Sequence, residues 1–475
     1  MSPSPLRWRA LSLIALAQFL VIMDTSIIGV ALPELGADLG FAQADLSWVF
    51  NAYVVAFGGL LLLGGKLSDV FGARRLFVAG FAILTGASVL AGIADSAGIE
   101  IAARALQGAG AAFIAPAALS LLMQLFGGEP RELTKALALY GAAAPAGGTA
   151  GVFLGGVLTE WLSWPFVFFV NVPIGIAVLA LASRWLPTGT RTNGRIDVTG
   201  AATVTASLSL LVFGIVRAPD VGWTSGQVVA SVGAGVLLLA VFVAIQQVRR
   251  DPLMPLGIWR TPNLAAANGA MALLGAAWVP MWFFLNLYLQ QVLGFGPFGS
   301  GASLLPMTVA MMILMVGVTE RLVGRFGFRA TLTSGLVVLT AGLAILSFVS
   351  AEGSFVGDVL LGSLVAAVGM SLAYIPAMFA AMSGAKPAEA GFASGIVNTT
   401  YQIGSALGLA AMTAVATSNG ADQLGNPLAL VDGFSAAFVG AAGIAIAGAI
   451  VAALFIRRPT AATDVAADDA HPIAA

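Results

Sequence analysis

Cysteine is absent from the 475-residue chain, and the single histidine, His471, lies near the C-terminus. Disulfides, thiol nucleophiles and cysteine-based metal sites are therefore excluded, as are histidine triads and most zinc sites. Charged residues make up only 9% of the chain, against roughly 25% in a soluble domain, whereas 59% of the residues are hydrophobic. We therefore expect a lipid bilayer to be the main surroundings of the chain, and we expect no cofactor and no nucleic-acid partner.

The hydrophobic residues are grouped in runs long enough to cross about 30 Å of hydrocarbon. Fourteen such runs lie near residues 10–33, 46–66, 75–94, 99–126, 134–158, 164–186, 197–217, 226–247, 261–291, 300–319, 330–350, 355–382, 392–415 and 434–456. The first run follows Arg7 and Arg9, as in a signal peptide, but it is too long for one and it contains Asp24. The predicted fold is an all-α, multi-pass protein of the cell membrane.

The basic residues support this count because they alternate between the predicted loops. Nearly all of the 21 lysines and arginines lie at the two chain ends or in the even-numbered loops, and acidic residues are common in the other loops. Arg104, inside the fourth run, and Arg217, beside an outer loop, are the exceptions. Since lysine and arginine accumulate on the cytoplasmic side of membrane proteins, both termini are predicted to be cytoplasmic.

A short polar segment at residues 65–75 separates the second and third runs, and it is partly repeated at residues 320–329. Gly72 and Arg74 correspond to Gly327 and Arg329 in this repeat. An internal repeat of this kind indicates two homologous halves. The predicted domains are a six-helix bundle (1–186), an inserted helix pair with linkers (187–260), a second six-helix bundle (261–458) and a disordered cytoplasmic tail (459–475).

Two charged residues lie inside predicted membrane helices. Asp24 is the only acid deep in the apolar part of such a helix, where a carboxylate costs at least ~2.5 kcal/mol and usually has a function. A buried acid can bind and release protons near neutral pH. Arg104 stays protonated, so it could tune a nearby acid but not carry a proton. The alternatives are a structural carboxylate held by hydroxyl groups, and an arginine that extends to the outer interface.

Small, aromatic and polar side chains recur at helical spacing on other predicted helices. Gly147, Gly151 and Gly155, with Gly156 beside them, would allow close packing of the fifth helix or form a pivot. Methionine and aromatic side chains adapt to varied ligands, and aromatic rings attract cations. The candidate residues of a substrate cavity are Trp278, Trp282, Asn286, Met311, Tyr374, Asn398 and Gln402. Packing or lipid-facing positions are the alternative for these residues.

Together these motifs resemble those of the major facilitator superfamily, in particular its fourteen-helix drug:proton antiporters. The resemblance covers almost the whole chain and is carried by Gly65-x-Leu67-x-Asp69-x-x-Gly72-x-Arg74-Arg75, Arg104-x-x-Gln107-Gly108-x-Gly110, Asp24-Thr25-Ser26-Ile27, and Trp164 with Phe168 and Asn171-Val172-Pro173. It implies proton-coupled export of amphipathic small molecules by alternating access, performed by a monomer. Asp24 would exchange protons and Arg104 would tune it. A gating loop formed by Gly65, Asp69, Gly72, Arg74 and Arg75 would stabilise one conformational state.

Departures from the family pattern leave other functions open. Val70 and Ala73 stand where the loop motif usually has basic residues, Tyr401 stands where an arginine is common, and the fifth-helix motif lacks its usual proline. A uniporter or a proton-coupled importer of a specific solute is therefore one alternative. A non-transporting membrane sensor or scaffold is another. An enzyme is not expected, because the sequence offers no nucleophile–base pair and no metal-ligand cluster.

Overall fold

The computed structural model describes residues 6–188, 197–250, 252–383 and 390–457. Fourteen long helices make up most of these ranges, which contain no strand. They are α1 (Leu6–Leu39), α2 (Ser47–Phe71), α3 (Ala73–Gly92), α4 (Ala97–Phe126), α5 (Pro130–Trp161), α6 (Phe166–Trp185), α7 (Val198–Val221), α8 (Gly226–Val248), α9 (Leu264–Val292), α10 (Pro297–Gly317), α11 (Thr319–Leu346), α12 (Phe355–Met382), α13 (Ala390–Ala416) and α14 (Pro427–Phe455). The prediction of an all-α protein with fourteen helices is confirmed.

Thirteen of the helices in the described ranges are long and apolar enough to cross a membrane by composition alone. The remaining helix, α13, carries Asn398, Thr399, Thr400 and Gln402 in its first half, and these side chains lower its hydropathy. Helices α2 and α9 are mostly buried inside the protein, whereas α8 exposes most of its side chains. An apolar helix with exposed side chains is suited to a lipid environment, where its backbone groups are satisfied within the helix.

The repeated segment has the same backbone geometry in both halves of the chain. Gly72 separates α2 from α3 with φ 91°, and Gly327 kinks α11 with φ 79°. Side chains disfavour positive φ, so glycine is the residue that suits both positions. This agreement supports the two-halves interpretation, in which α1–α6 correspond to α9–α14. The exact domain boundaries remain a prediction.

The helices α7 and α8, which form the predicted insert, pack against each other, and α7 also contacts α2 and α13. Thr205 of α7 packs tightly against Gly59 of α2. Asp197, almost completely buried, caps α7 by accepting a hydrogen bond from Gly200 N at 2.8 Å. It also accepts one from Gln246 Nε2 of α8 at 2.8 Å, which joins the two helices at one end. Residues 189–196, which precede α7 in the predicted insert, and the whole predicted tail (459–475) lie outside the described residues.

Candidate functional site

Asp24 of α1 and Arg104 of α4 form an ion pair in the interior of the first half. Arg104 Nη1 donates to Asp24 Oδ2 at 2.8 Å, and both side chains are completely buried. Arg104 Nε donates to Val49 O of α2 at 2.9 Å, and the guanidinium lies 4.7 Å from the centre of the Tyr53 ring. Arg104 therefore turns into the bundle and contacts Asp24, rather than extending to the outer interface.

Three further polar side chains complete this site. Asn171 Nδ2 of α6 donates to Asp24 Oδ1 at 2.6 Å, and Gln107 Nε2 of α4 donates to the same oxygen at 3.1 Å. Gln107 also accepts from Arg104 Nη1 at 2.8 Å and donates to Ser88 Oγ of α3 at 2.9 Å. We call Asp24, Ser88, Arg104, Gln107 and Asn171 the Asp24 cluster. Gln107 and Asn171 lie in motifs that are visible in the sequence, whereas no sequence motif pointed to Ser88.

The charges of the Asp24 cluster depend on one another. Moving an ion out of water costs several kcal/mol, and good geometry with additional hydrogen bonds is needed to offset that cost. Asp24 has these bonds, because it accepts from Arg104, Gln107 and Asn171. Arg104 in turn depends on Asp24, because Asp24 is the negative partner of its buried guanidinium. Within the described ranges, no group of three or more His, Cys, Asp or Glu residues could hold a metal ion.

The glycine stripe of α5 packs on the backbone of α1, on both sides of Asp24. A Cβ atom at Gly147 would overlap Phe19 O. A Cβ at Gly151 would lie 2.8 Å from Met23 O, and one at Gly155 would lie 2.7 Å from Ile27 O. Small residues at this spacing allow two helices to approach closely. Gly156 instead faces α10, where its Cβ would lie 2.8 Å from Phe298 Cα. The stripe therefore packs closely on α1 in this conformation, and Gly156 beside it lies at a contact between the halves.

The two halves meet at the end of the bundle that holds the α1–α2 loop. We call it the outer end, after the predicted orientation. Gln290 Nε2 of α9 donates to Val30 O of α1 at 2.8 Å. The amide groups of Gln43 and Gln291 exchange hydrogen bonds of 3.0 and 3.3 Å. These polar contacts connect α1 and the α1–α2 loop to the end of α9.

Aromatic packing adds to these contacts at the outer end. Trp282 of α9 lies so close to Gly29 of α1 that a Cβ at this glycine would overlap the indole ring. Trp161 stacks on Phe298 with ring centres 5.3 Å apart, and Phe298 N donates to Glu160 Oε2 at 3.2 Å. We call all the contacts between the halves at this end the outer gate. The outer gate is closed in this conformation.

The predicted cavity residues of α9 lie close to the outer gate. Trp278 and Trp282 are 8% and 9% exposed, and Asn286 is completely buried. Asn286 Nδ2 donates to Trp282 O at 2.9 Å within α9. In this conformation the three side chains are part of the packed interior, and Trp282 is a gate residue.

The other predicted cavity residues lie in the second half and are partly buried. Tyr374 of α12 donates through its hydroxyl to Asn398 Oδ1 of α13 at 3.2 Å, and its ring packs edge-on against Tyr401. The structure therefore brings Tyr374 and Asn398 together. Gln402 lies where α13 meets α2, beside Gly58. Met311 lies on α10 with its side chain partly buried, and its carbonyl oxygen accepts a hydrogen bond of 3.4 Å from Ser371 of α12, one turn before Tyr374.

The predicted gating loop lies at the opposite end of the bundle. Gly65 and Asp69 are in the last turns of α2, Gly72 breaks the helix, and Arg75 is exposed at the start of α3. Arg74 donates through a guanidinium nitrogen to Leu186 O at 3.2 Å, at the end of α6. In this conformation the loop therefore connects α3 to α6 within the first half.

Glu100 of α4 is a second acid, besides Asp24, that is buried inside the protein, and it lies in the first turn of its helix. Its side chain is completely buried, and neither carboxyl oxygen has a hydrogen-bond partner. Glu100 lies near the beginning of the fourth hydrophobic run (99–126), and no pattern in the sequence indicates its burial. Packing of the neighbouring helices covers this position, which hydropathy along one helix does not reveal.

Comparison with known proteins identifies a family and a fold. A model of the Major Facilitator Superfamily matches residues 14–409. The chain is 40% identical to the cephamycin export protein CmcT of Amycolatopsis lactamdurans, over 93% of this chain and 91% of the relative. It is 35% identical to the puromycin resistance protein pur8 of Streptomyces alboniger, over 97% of this chain and 94% of the relative. Both alignments therefore cover nearly the full length of the relative.

Solved structures share the fold at low sequence identity. The nucleoside transporter NupG superposes with a TM-score of 0.67 and 11% identity, covering 95% of this chain and all of NupG. A structure of a proton dependent oligopeptide transporter gives a TM-score of 0.64 and 15% identity, covering 94% of this chain and 97% of the other. At such identity the likeness concerns the fold alone.

Proposed function

Because the chain belongs to the major facilitator superfamily, we propose that this cell-membrane protein exports amphipathic, antibiotic-like molecules in exchange for protons. The substrate class is supported by the names of the two relatives, which refer to cephamycin and puromycin. The proposed exchange with protons rests on the Asp24 cluster. The protein would act as a monomer, with each half serving as one rigid body of an alternating-access cycle.

One observation carries the proposed coupling: α1 bears both Asp24 and part of the outer gate. Asp24 is tied to Arg104, while Gly29 contacts Trp282 and Val30 accepts from Gln290. Asp24 is separated from Gly29 and Val30 by about one and a half turns of α1. A change in the charge of Asp24 therefore acts on the helix that closes the gate.

The conformation corresponds to one step of such a cycle. The outer gate is closed and Asp24 is ion-paired, as expected after a proton has left to the cytoplasm and before substrate binds. Substrate binding would then favour the outward-facing state. A proton arriving from outside would neutralise Asp24 after substrate release and allow the gate to close again. A ligand can shift such an equilibrium only by its difference in affinity for the two states.

The gating loop is proposed to stabilise the alternative state. Asp69, Arg74 and Arg75 lie at the cytoplasmic end in the predicted orientation, where the halves would approach each other when the protein faces outwards. Charge pairing between the halves there would contribute about 1–3 kcal/mol, the usual scale of conformational coupling.

Substrate-induced proton movement in everted vesicles tests the proposed export. The vesicle lumen is made acidic, puromycin or a cephamycin is added outside, and lumenal pH and drug uptake are followed together. We expect drug uptake accompanied by alkalinisation of the lumen, and neither in vesicles that lack the protein. Drug uptake without any change in pH would instead identify a uniporter. Loss of drug together with protons from vesicles preloaded with the drug would identify an importer, and absence of drug flux in either direction would favour a sensor or scaffold.

Labelling of single cysteines tests the proposed orientation, which the cysteine-free sequence makes simple to interpret. Thr224 is exposed in the α7–α8 loop, and Gly128 is exposed in the α4–α5 loop, where a Cβ meets no atom within 4 Å. In intact cells, a membrane-impermeant thiol reagent should label Thr224→Cys and not Gly128→Cys. After permeabilisation it should label both. Labelling of Gly128→Cys in intact cells would reverse the orientation.

A further inference from the structure

Glu100 is a completely buried acid that has no part in the coupling described above. Both of its carboxyl oxygens lack a hydrogen-bond partner. An ionised carboxylate in such a place would be strongly disfavoured, because burying a charge without a partner is costly and the group becomes neutral instead. The geometry therefore indicates that Glu100 carries a proton in this conformation.

Arg104 lies one turn after Glu100 on the same helix face, at the i and i+4 spacing at which side chains of a helix meet. Its Nη1 atom donates hydrogen bonds to Asp24 and Gln107, and its Nε atom donates one to Val49 O. Its Nη2 atom is buried and has no hydrogen-bond partner. One nitrogen of the guanidinium can thus receive a second carboxylate while the other contacts are kept.

We propose that Glu100 is a second proton-binding site, which shares Arg104 with Asp24. In the present conformation Asp24 is ionised and Glu100 is protonated. In the alternative, the O–H bond of Glu100 breaks, a new O–H bond forms on Asp24, and Glu100 becomes the negative partner of Arg104. The total charge of the three groups is the same before and after. Since Arg104 is completely buried, it keeps one negative partner in either arrangement.

The position of Glu100 indicates a direction for the proton. α4 begins at the outer end, so Glu100 in its first turn lies nearer to that end than Arg104 does. A proton entering from outside would meet Glu100 first and then Asp24, as an exporter driven by external protons requires. The charged groups that act on Glu100 are Arg104 of α4 and Asp24 of α1. Tyr53 of α2 faces the guanidinium, and the polar neighbours on α3 and α6, Ser88 and Asn171, do not titrate.

Infrared spectroscopy of the full-length protein in liposomes at neutral pH tests this proposal. The C=O stretching band of a buried protonated carboxyl group should be present in the wild type and absent in Glu100→Gln. It should also disappear in Asp24→Asn, because Glu100 then ionises to neutralise Arg104. The matched control is Asp95→Asn, which changes an exposed acid in the neighbouring α3–α4 loop and should keep the band. Each variant is first shown to have wild-type thermal stability, and Glu100→Asp, which keeps a carboxyl group, serves if Glu100→Gln does not fold.

Two results would contradict the proposal that Glu100 and Asp24 share one proton. The band could persist in Glu100→Gln, which would mean that Glu100 is not protonated. It could also be lost in Glu100→Gln yet persist in Asp24→Asn, which would make Glu100 a neutral structural acid. The proposal rests on the proposed exchange with protons, but the infrared measurement does not require transport. A wild type without drug-induced proton movement would refute the proposed function, whereas a wrong band pattern would refute the role of Glu100 alone.

Discussion

Asp24→Asn is expected to abolish proton-driven export while it leaves the binding of drug and some downhill exchange intact. Asparagine has nearly the shape of the acid and still accepts hydrogen bonds from Gln107 and Asn171, but it cannot exchange a proton. Removal of a group that transfers a proton commonly costs about 10²–10⁴-fold in rate. Drug-induced proton flux in liposomes should therefore fall at least about a hundredfold. Uphill export with unchanged stoichiometry would show that Asp24 is structural.

Two comparisons distinguish a loss of proton coupling from a loss of folding. Asp95→Asn removes an exposed acid in the α3–α4 loop, and this variant should transport as the wild type does. Arg104→Lys should be milder than Arg104→Ala. Lysine keeps the positive charge near Asp24 although it loses the planar fork that also reaches Val49 and Gln107. Loss of one member of a buried ion pair costs about 3–5 kcal/mol, so thermal stability of every variant must be measured first.

Gly29→Ala is expected to prevent closure of the outer gate, because the new Cβ would overlap the ring of Trp282. Overpacking of this kind costs about 1–3 kcal/mol, which shifts a conformational equilibrium by about 5–150-fold. The protein should accumulate with its outer end open, and export should fall by a similar factor. Trp282→Ala in the same chain removes the overlapping ring, so the double variant should close again and recover part of the activity.

Spin labels at Leu162→Cys and Leu424→Cys report on this gate. Both leucines are exposed in outer loops, one in each half. Double electron–electron resonance should show a longer distance in Gly29→Ala and a return towards the wild-type distance in the double variant. Gly86→Ala is the control, since a Cβ there meets no atom within 4 Å. A distance that stays the same in Gly29→Ala would mean that this contact does not control the outer end.

The sequence alone determined the number of helices, the repeat of one polar segment in the two halves, and the presence of Asp24 and Arg104 inside the membrane. These properties are local. The thickness of the bilayer fixes the length of an apolar run, and a charge within such a run is visible without knowledge of its neighbours. The positive φ of Gly72 and Gly327 is likewise a property of a short segment, so the same residue recurs in both places.

Only the tertiary structure decided which helices meet. It turned Arg104 inwards to Asp24, brought Ser88, Gln107 and Asn171 to the pair, and covered Glu100. It also directed the glycine stripe of α5 to α1 and placed Trp282 on Gly29 instead of in an open cavity. A helix face that meets lipid and one that meets another helix are both apolar, because in a membrane the hydrophobic effect does not distinguish them. The choice between them depends on close packing and hydrogen bonds between helices distant in the chain, and these form only when the helices are assembled.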